Sequence, residues 1–287
     1  MKIWKYEGLG NDFVIIPRAL IPDLAMAPGL ARRICDRHFG VGADGVLLLD
    51  VDGDSVPRMV VYNADGTRPE MCGNGLRCAA AHLSEGSGPV DISTDAGVYS
   101  CVATQNDGRT WVSVSMGIVS FEAHLAGVAR SALDGKGQIV VRLGEALTHF
   151  NIASTGNPHA VTLVRDLLAD LQVLARKHGP EVSTHGAFAN GVNASWVRVE
   201  GGVVQLVVYE RGAGMTLACG TGACAAVGVL ARLGEVPYGQ RVRVLLPGGP
   251  LEIEVQDGGH GPGTGEVTMN GPASLVFEGY YHGVGFK

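Results

Sequence analysis

The chain has 287 residues, 46% of them apolar, and a formal net charge of −6. That suits one large domain or two of ordinary size, and with no basic run longer than Arg32-Arg33 it argues against a phosphate-backbone (nucleic-acid) partner. No apolar run approaches the ~18 residues of a membrane span, no signal peptide is evident, and six cysteines in a chain this large read as free thiols, so a cytoplasmic protein without a membrane partner is expected.

In chain order, residues 2–7 and 13–16 read as strands around the loop Gly8-Leu9-Gly10-Asn11-Asp12. A helix is expected over 28–38, with Pro28 in its first turn. The glycines of Gly40-Val41-Gly42-Ala43-Asp44-Gly45 match G-x-G-x-x-G. They follow a helix and precede the apolar strand 46–49, the reverse of a dinucleotide turn, so no nucleotide site is assigned. A strand at 57–62, a turn at Asn63-Ala64-Asp65-Gly66 and a helix opening at Cys72 come next. Alternating stretches at 90–94, 97–104 and 110–116, with turns at Asp95-Ala96-Gly97 and Asn106-Asp107-Gly108, predict an antiparallel meander. Residues 118–153 read as further strand and loop.

There the pattern begins again. Gly10-Asn11-Asp12-Phe13-Val14-Ile15 returns as Gly156-Asn157-Pro158-His159-Ala160-Val161, and Asp44-Gly45-Val46-Leu47 as Asn190-Gly191-Val192-Asn193. Met59 to Asn63 returns as Leu206 to Glu210, Cys72-Gly73-Asn74-Gly75 as Cys219-Gly220-Thr221-Gly222, and Trp111 to Gly117 as Gly265 to Gly271. A register kept over more than 100 residues reads as a tandem duplication, two similar domains in one chain. Pseudo-two-fold halves usually meet at equivalent surfaces. The two cysteine-headed helices are therefore expected to point at one another across a shared cleft.

A thiol at a helix start lies near the positive end of the dipole and unpaired N–H groups, which favour a thiolate. Two opposed thiols suit a reaction that removes a proton from one face of a carbon and returns one to the other. An amino-acid α-carbon is a weak acid, so its carboxylate must be gripped as charge develops. Gly73-Asn74-Gly75 and Gly220-Thr221-Gly222 can offer backbone N–H groups for that grip, and glycine lets the backbone approach. Cys72/Cys78 and Cys219/Cys224 are spaced more widely than a C-x-x-C redox pair. A four-cysteine zinc site would want shorter pairs in loops. Cys78 and Cys224 are expected in the core, and Cys35 and Cys101 carry no assigned role.

These residues resemble the diaminopimelate epimerase family nearly end to end. The resemblance rests on Gly8 to Phe13, Asn63 to Gly66, Met71 to Gly75, Gly156-Asn157-Pro158-His159, Tyr209-Glu210-Arg211-Gly212-Ala213-Gly214 and Ala218 to Gly222. It implies an α+β fold of two pseudo-symmetric domains, each a mixed, antiparallel barrel-like sheet around a central helix, with the site in the cleft between them. The expected domains are 1–117 with 274–287, and 118–273. It implies an isomerase that interconverts LL- and meso-diaminopimelate without a cofactor or metal, in lysine and peptidoglycan precursor synthesis, as a homodimer. Cys72 and Cys219 match the acid/base pair, His159 the histidine that supports the first cysteine, and Glu210 the glutamate near the second. Asn11, Asn63, Asn157, Asn193 and Arg211 match substrate-binding positions, beside Gly73, Asn74, Glu210, Gly220 and Thr221. Arg211 can pair with a distal carboxylate in a bidentate fork.

Two departures stand out. Met215 occupies a position where the family usually carries glutamate, which should ease formation of a Cys219 thiolate. Gly45 stands where many members have glutamine. The alternative readings are a cofactor-independent racemase of another amino acid, such as proline or histidine, and a non-catalytic ligand-binding or thiol-redox protein. The intact cysteine motifs and both supporting residues argue against the latter.

Overall fold

The computed structural model describes residues 1–53, 55–106, 108–258 and 264–283. The chain forms two compact units, Met1–Val114 with Asn270–Lys287, and Ser115–Met269. The first holds β1 (Lys2–Gly8), β2 (Asn11–Pro17), α1 (Ala27–Cys35), β3 (Gly45–Asp50), β4 (Arg58–Asn63), α2 (Gly73–Leu83), β5 (Gly88–Thr94), β6 (Gly97–Asn106) and the start of β7 (Arg109–Ser120). The second continues β7 and adds β8 (Gln138–Leu143), β9 (Ala146–Ser154), β10 (Pro158–Leu163), α3 (Leu171–Ser183), β11 (Asn193–Glu200) and β12 (Val203–Glu210). It ends with β13 (Gly214–Met215), α4 (Gly220–Arg232), β14 (Arg241–Leu246), β15 (Gly249–Val255) and the start of β16 (Thr264–Tyr280), whose last residues return to the first unit.

The two units repeat one topology. In the first, β1–β2 is antiparallel, β2–β3 parallel, β3–β4 antiparallel, β4–β5 parallel and β5–β6 antiparallel. In the second, β9–β10, β10–β11, β11–β12, β12–β14 and β14–β15 run through the same succession. Residues 274–280 of β16 pair with β1, and Ser120 of β7 pairs with Ser154 of β9 in the corresponding place. The repeat read from sequence is thus a repeat of strand pairing.

Each cysteine-headed helix is the buried axis of its unit. Residues Asn74 to Ala81 of α2 are all buried, and the helix packs on β1 to β6. In α4, Gly222 to Ala231 are all buried, against β9 to β12 and β15. Glycine and alanine along both helices let the surrounding strands approach closely. At Gly75 an added Cβ would stand 3.0 Å from Leu47 Cδ2, and at Gly228 it would stand 2.9 Å from Val119 Cγ2. Cys78 and Cys224 are fully buried, as the sequence spacing anticipates. All six cysteines are free thiols.

The other two helices lie outside the sheets. In α1, Ala27, Leu30, Ala31, Ile34 and Cys35 form one buried face over β3 and β4, the 3.6-residue period of a one-sided helix. The helix stops at Cys35, short of the expected residue 38, because the Asp36 carboxylate accepts the N–H groups of His38 and Phe39 at 2.8 Å each. That turn competes with helix continuation. Its counterpart α3 was hidden in the sequence by Gly179-Pro180, a breaker pair. Asp170 caps α3 through Gln172 and Val173, and the absent Gly179 side chain makes room for the Tyr209 ring. The meander strands fall where expected; Asp107 of the predicted second turn, and residues 284–287 of the predicted first domain, lie outside the described residues.

Candidate active site

In the first unit, Cys72 is the N-cap of α2 in an extended conformation (φ −138°, ψ 117°), with no side chain capping the helix start. Its carbonyl accepts the Leu76 N–H at 2.8 Å. Gly73 and Asn74 follow as the first helical residues. Asn74 is buried and donates through Nδ2 to Oδ1 of Asn11 at 3.1 Å. The turn between β1 and β2 and the start of α2 are therefore joined by their amides. Asn63 is not part of this group: it is exposed at the end of β4, and its Nδ2 donates to Thr67 Oγ1 at 2.9 Å. Its side chain closes its own turn, a use asparagine serves well.

In the second unit, Cys219 caps α4 in the same way (φ −124°, ψ 105°) but is buried. Glu210, Thr221 and Asn157 meet at it or at its first turn, and His159 is joined to them through Asn157. Glu210, at the end of β12, shares a hydrogen bond with the Cys219 thiol. Thr221 Oγ1 lies 3.7 Å from Cys219 Sγ. Asn157 Nδ2 donates to Thr221 Oγ1 at 3.4 Å, and Asn157 Oδ1 faces His159 Nε2 at 2.9 Å. Asn193 and Arg211 form a neighbouring pair. The Arg211 N–H donates to Asn193 Oδ1 at 2.8 Å, while Asn193 Nδ2 donates to the Pro158 carbonyl. The Arg211 guanidinium is exposed and donates to the Asn190 carbonyl at 2.9 Å. Gly220 sits tight against Met269 Sδ, at 2.9 Å from where a Cβ would be.

His159 lies on β10 with no exposed surface, not in a turn. Burial and the charge of Arg211 lower its pKa to about 3, so the ring is neutral. Asn157 is oriented with Oδ1 accepting from Thr155 Oγ1 at 3.2 Å and Nδ2 donating to Thr221, so that its oxygen faces the ring. Oδ1 can only accept, so Nε2 carries the proton. Nδ1 is then a bare lone pair, and among the described residues it has no hydrogen-bond partner. A buried, unpartnered ring nitrogen is costly and is what a proton acceptor requires.

The protonation of Cys219 departs from the expectation. Burial first, and then the neighbouring Glu210 carboxylate, push its thiol well above the ordinary range. Hydrogen bonds from Thr221 and the Gly222 N–H act the other way and do not compensate. At rest Cys219 is a thiol, because desolvation penalises the anion more than one helix terminus favours it. Burial also raises the pKa of Glu210, opposed by hydrogen bonds from Thr216 and Cys219. The Thr216 hydroxyl donates to Glu210 Oε1 at 2.5 Å. Sequence reading missed Thr216 and Thr155; their only signal was position beside the motif residues. Met215, one residue before Thr216, packs into the apolar cluster that contains Trp196 and Phe150.

The family model described as diaminopimelate epimerase matches residues 3–122 and 151–276. A diaminopimelate epimerase of Cyanothece sp. is 40% identical over 292 residues, covering 97% of this chain and 99% of its own. That of Pelotomaculum thermopropionicum is 39% identical, with 98% and 99% covered. Among solved structures, a probable proline racemase from Agrobacterium radiobacter superposes with a TM-score of 0.68 at 16% identity, covering 99% of this chain and 94% of that one. A hydroxyproline epimerase from Agrobacterium vitis does so at 0.66 and 18%, with 97% and 91% covered. These two share the fold. The chain belongs to the diaminopimelate epimerase family, a family of isomerases.

Proposed function

We propose that this chain is a diaminopimelate epimerase that interconverts the LL and meso forms without an organic cofactor or metal, by two-base proton transfer at the α-carbon. The observation that carries the reading is the repeated cysteine at the N-cap of a buried helix, in two units of one topology. Such a pair suits removal of the α-proton by one sulfur and delivery of a proton by the other to the opposite face. Cys219 is the acid in the resting protein, with Glu210 positioned to take its proton when the direction reverses. His159, through its bare Nδ1, is the acceptor for the Cys72 proton. A thiolate beside it would favour the charged imidazolium and raise its pKa from the resting value. The first-turn residues Gly73, Asn74, Gly220 and Thr221 bind the reacting carboxylate. Asn11, Asn63, Asn157, Asn193, Glu210 and Arg211 bind the rest of a two-ended substrate.

The reading includes descent of both units from one duplicated domain, a cytoplasmic location in lysine and peptidoglycan precursor synthesis, and a homodimer. The exposed apolar side chains Leu275, Val276, Phe277 and Tyr280 of β16 are a surface that self-association would cover.

Incubation with LL-diaminopimelate in heavy water, followed by proton NMR, tests the reaction. The α-proton signal should disappear as the meso form accumulates, with nothing added but enzyme. Cys72→Ala and Cys219→Ala should each abolish turnover. A retained α-proton signal defeats the assigned substrate, and exchange of proline or histidine instead would make the chain a racemase of that amino acid. A single-cysteine variant at near wild-type rate defeats the two-base mechanism.

A further inference from the structure

Arg77 is fully buried in the middle of α2, a permanently charged side chain between Leu76 and Cys78 in a helix rich in glycine and alanine. Burying a charge is expensive unless its donors are used. Its Nε donates to the Pro272 carbonyl at 3.3 Å, and its Nη2 donates to Oδ1 of Asn74 at 3.0 Å. The turn at Gly8 leaves room for the guanidinium: a Cβ there would stand 3.2 Å from Nη2.

From Asn74 the bonding continues in one direction. Asn74 Nδ2 donates to Asn11 Oδ1 at 3.1 Å, and Asn11 Nδ2 donates to Asp44 Oδ2 at 2.7 Å. Asp44 is itself held. Its Oδ2 accepts the Asp12 N–H at 3.2 Å, its own N–H donates to Asp12 Oδ1 at 3.0 Å, and its Oδ1 accepts from Arg37 at 2.8 Å. The row therefore begins on a guanidinium, which can only donate, and ends on a carboxylate, which can only accept. Between them stand two amides, each of which could be turned either way if it stood alone. Turning Asn74 would set its NH2 against Arg77. Turning Asn11 would set its oxygen against Asp44. The charges at the two ends leave one orientation for both.

We infer that Arg77 and Asp44 are positioning residues of the epimerase reaction, acting through Asn74 and Asn11 to hold both amides in one fixed hydrogen-bonding polarity towards the substrate. The inference rests on the reading that Asn11 and Asn74 bind substrate. It assigns a use to the motif Gly40 to Gly45, which is no nucleotide loop but carries Asp44 to the end of the row. The second unit differs: its Asn157 is held by Thr155 and Thr221, and Cys224 stands where Arg77 would be.

Asp44 and Arg77 sit at opposite ends of the row and act on substrate only through the amides between them. Loss of either end frees those amides, so a double variant should be little worse than a single one. KM and kcat for diaminopimelate are to be measured for Asp44→Asn, Arg77→Gln and the double variant, each of which replaces a one-way end by an amide that can turn either way, with thermal midpoints alongside. Each single change should raise KM about tenfold, the scale of one hydrogen bond, and leave kcat within about threefold. The double variant should stay near about tenfold, short of the hundredfold that independent effects would give. Multiplying effects, or a lowered midpoint with unchanged KM, overturn the inference. Should Arg77→Gln fail to fold, Asp44→Asn is read alone, and an unchanged KM there overturns the inference. Asn11→Ala separates the levels: an unchanged KM there defeats the substrate-binding reading itself, whereas a raised KM with multiplying Asp44 and Arg77 effects defeats only the positioning.

Discussion

The neutral, enclosed His159 makes the protein's stability depend on pH in a way that one substitution isolates. Its ring is wholly buried, and its pKa is lowered from 6.5 to about 3 by burial and by the nearby Arg211 charge. In the unfolded chain it titrates near about 6.5. Between those values the unfolded chain binds a proton that the folded chain refuses. The contribution is therefore fully present above about pH 6.5 and is lost as the pH falls towards 3. Integrated from pH 6.5 to 4.5, one such imidazole removes about 2 kcal/mol of stability. His159→Gln keeps a polar group facing Asn157 but has nothing to protonate. Denaturant unfolding of both proteins across this range is the assay. The wild type should lose about 2 kcal/mol more than the variant, whatever constant offset the substitution brings. Parallel curves would refute the reasoning, and a variant that loses more with acid would mean that a carboxylate holds His159 charged.

Three other outcomes follow from the contacts. Thr216→Val deletes the hydroxyl that donates to Glu210; a hydrogen bond to a charged group is worth about 1.5–3 kcal/mol, so the pH-rate limb that needs ionised Glu210 should rise by about one to two units, and an unmoved profile would count against Glu210 as the base. Gly228→Ala places a Cβ at 2.9 Å from Val119; overpacking of about 1–3 kcal/mol should outweigh the helix propensity of about 1 kcal/mol that alanine brings, and a raised melting temperature would show that α4 is less tightly enclosed. Arg211→Lys loses the planar fork and should lower kcat/KM for diaminopimelate about tenfold or more; an unaffected value would place the distal carboxylate elsewhere.

Much of the architecture was legible in the amino-acid sequence, and the reason is local. A strand or a helix start is specified by a few consecutive residues, so a duplicated gene leaves two copies of each signal in register. The paired cysteines, the meanders and the apolar strands were visible that way, as was the family. The limits were local as well. Gly179-Pro180 concealed α3, since the close approach of Tyr209 that requires Gly179 involves a strand far along the chain. Asn63 carries the same side chain as Asn11, yet in the folded chain it also closes its own turn through Thr67, and spacing alone does not separate the two.

What the tertiary structure decided is the state of each functional group. A thiol at a helix start reads as a thiolate, but the sheet enclosing α4 removes water from Cys219 and sets Glu210 beside it, and desolvation wins over the helix dipole. Which His159 nitrogen is left unpartnered follows from Asn157, which is held by Thr155 and by Thr221, 64 residues away in the chain. The amide order of the first unit is imposed by Arg77 and Asp44, which no motif connects. Sequence determined which residues stand at the turns and helix starts, because that is a matter of short-range pattern. Protonation and hydrogen-bond direction followed only from burial and from partners brought together by the folding of the sheets, because both are set by the surroundings of an atom and not by its neighbours along the chain.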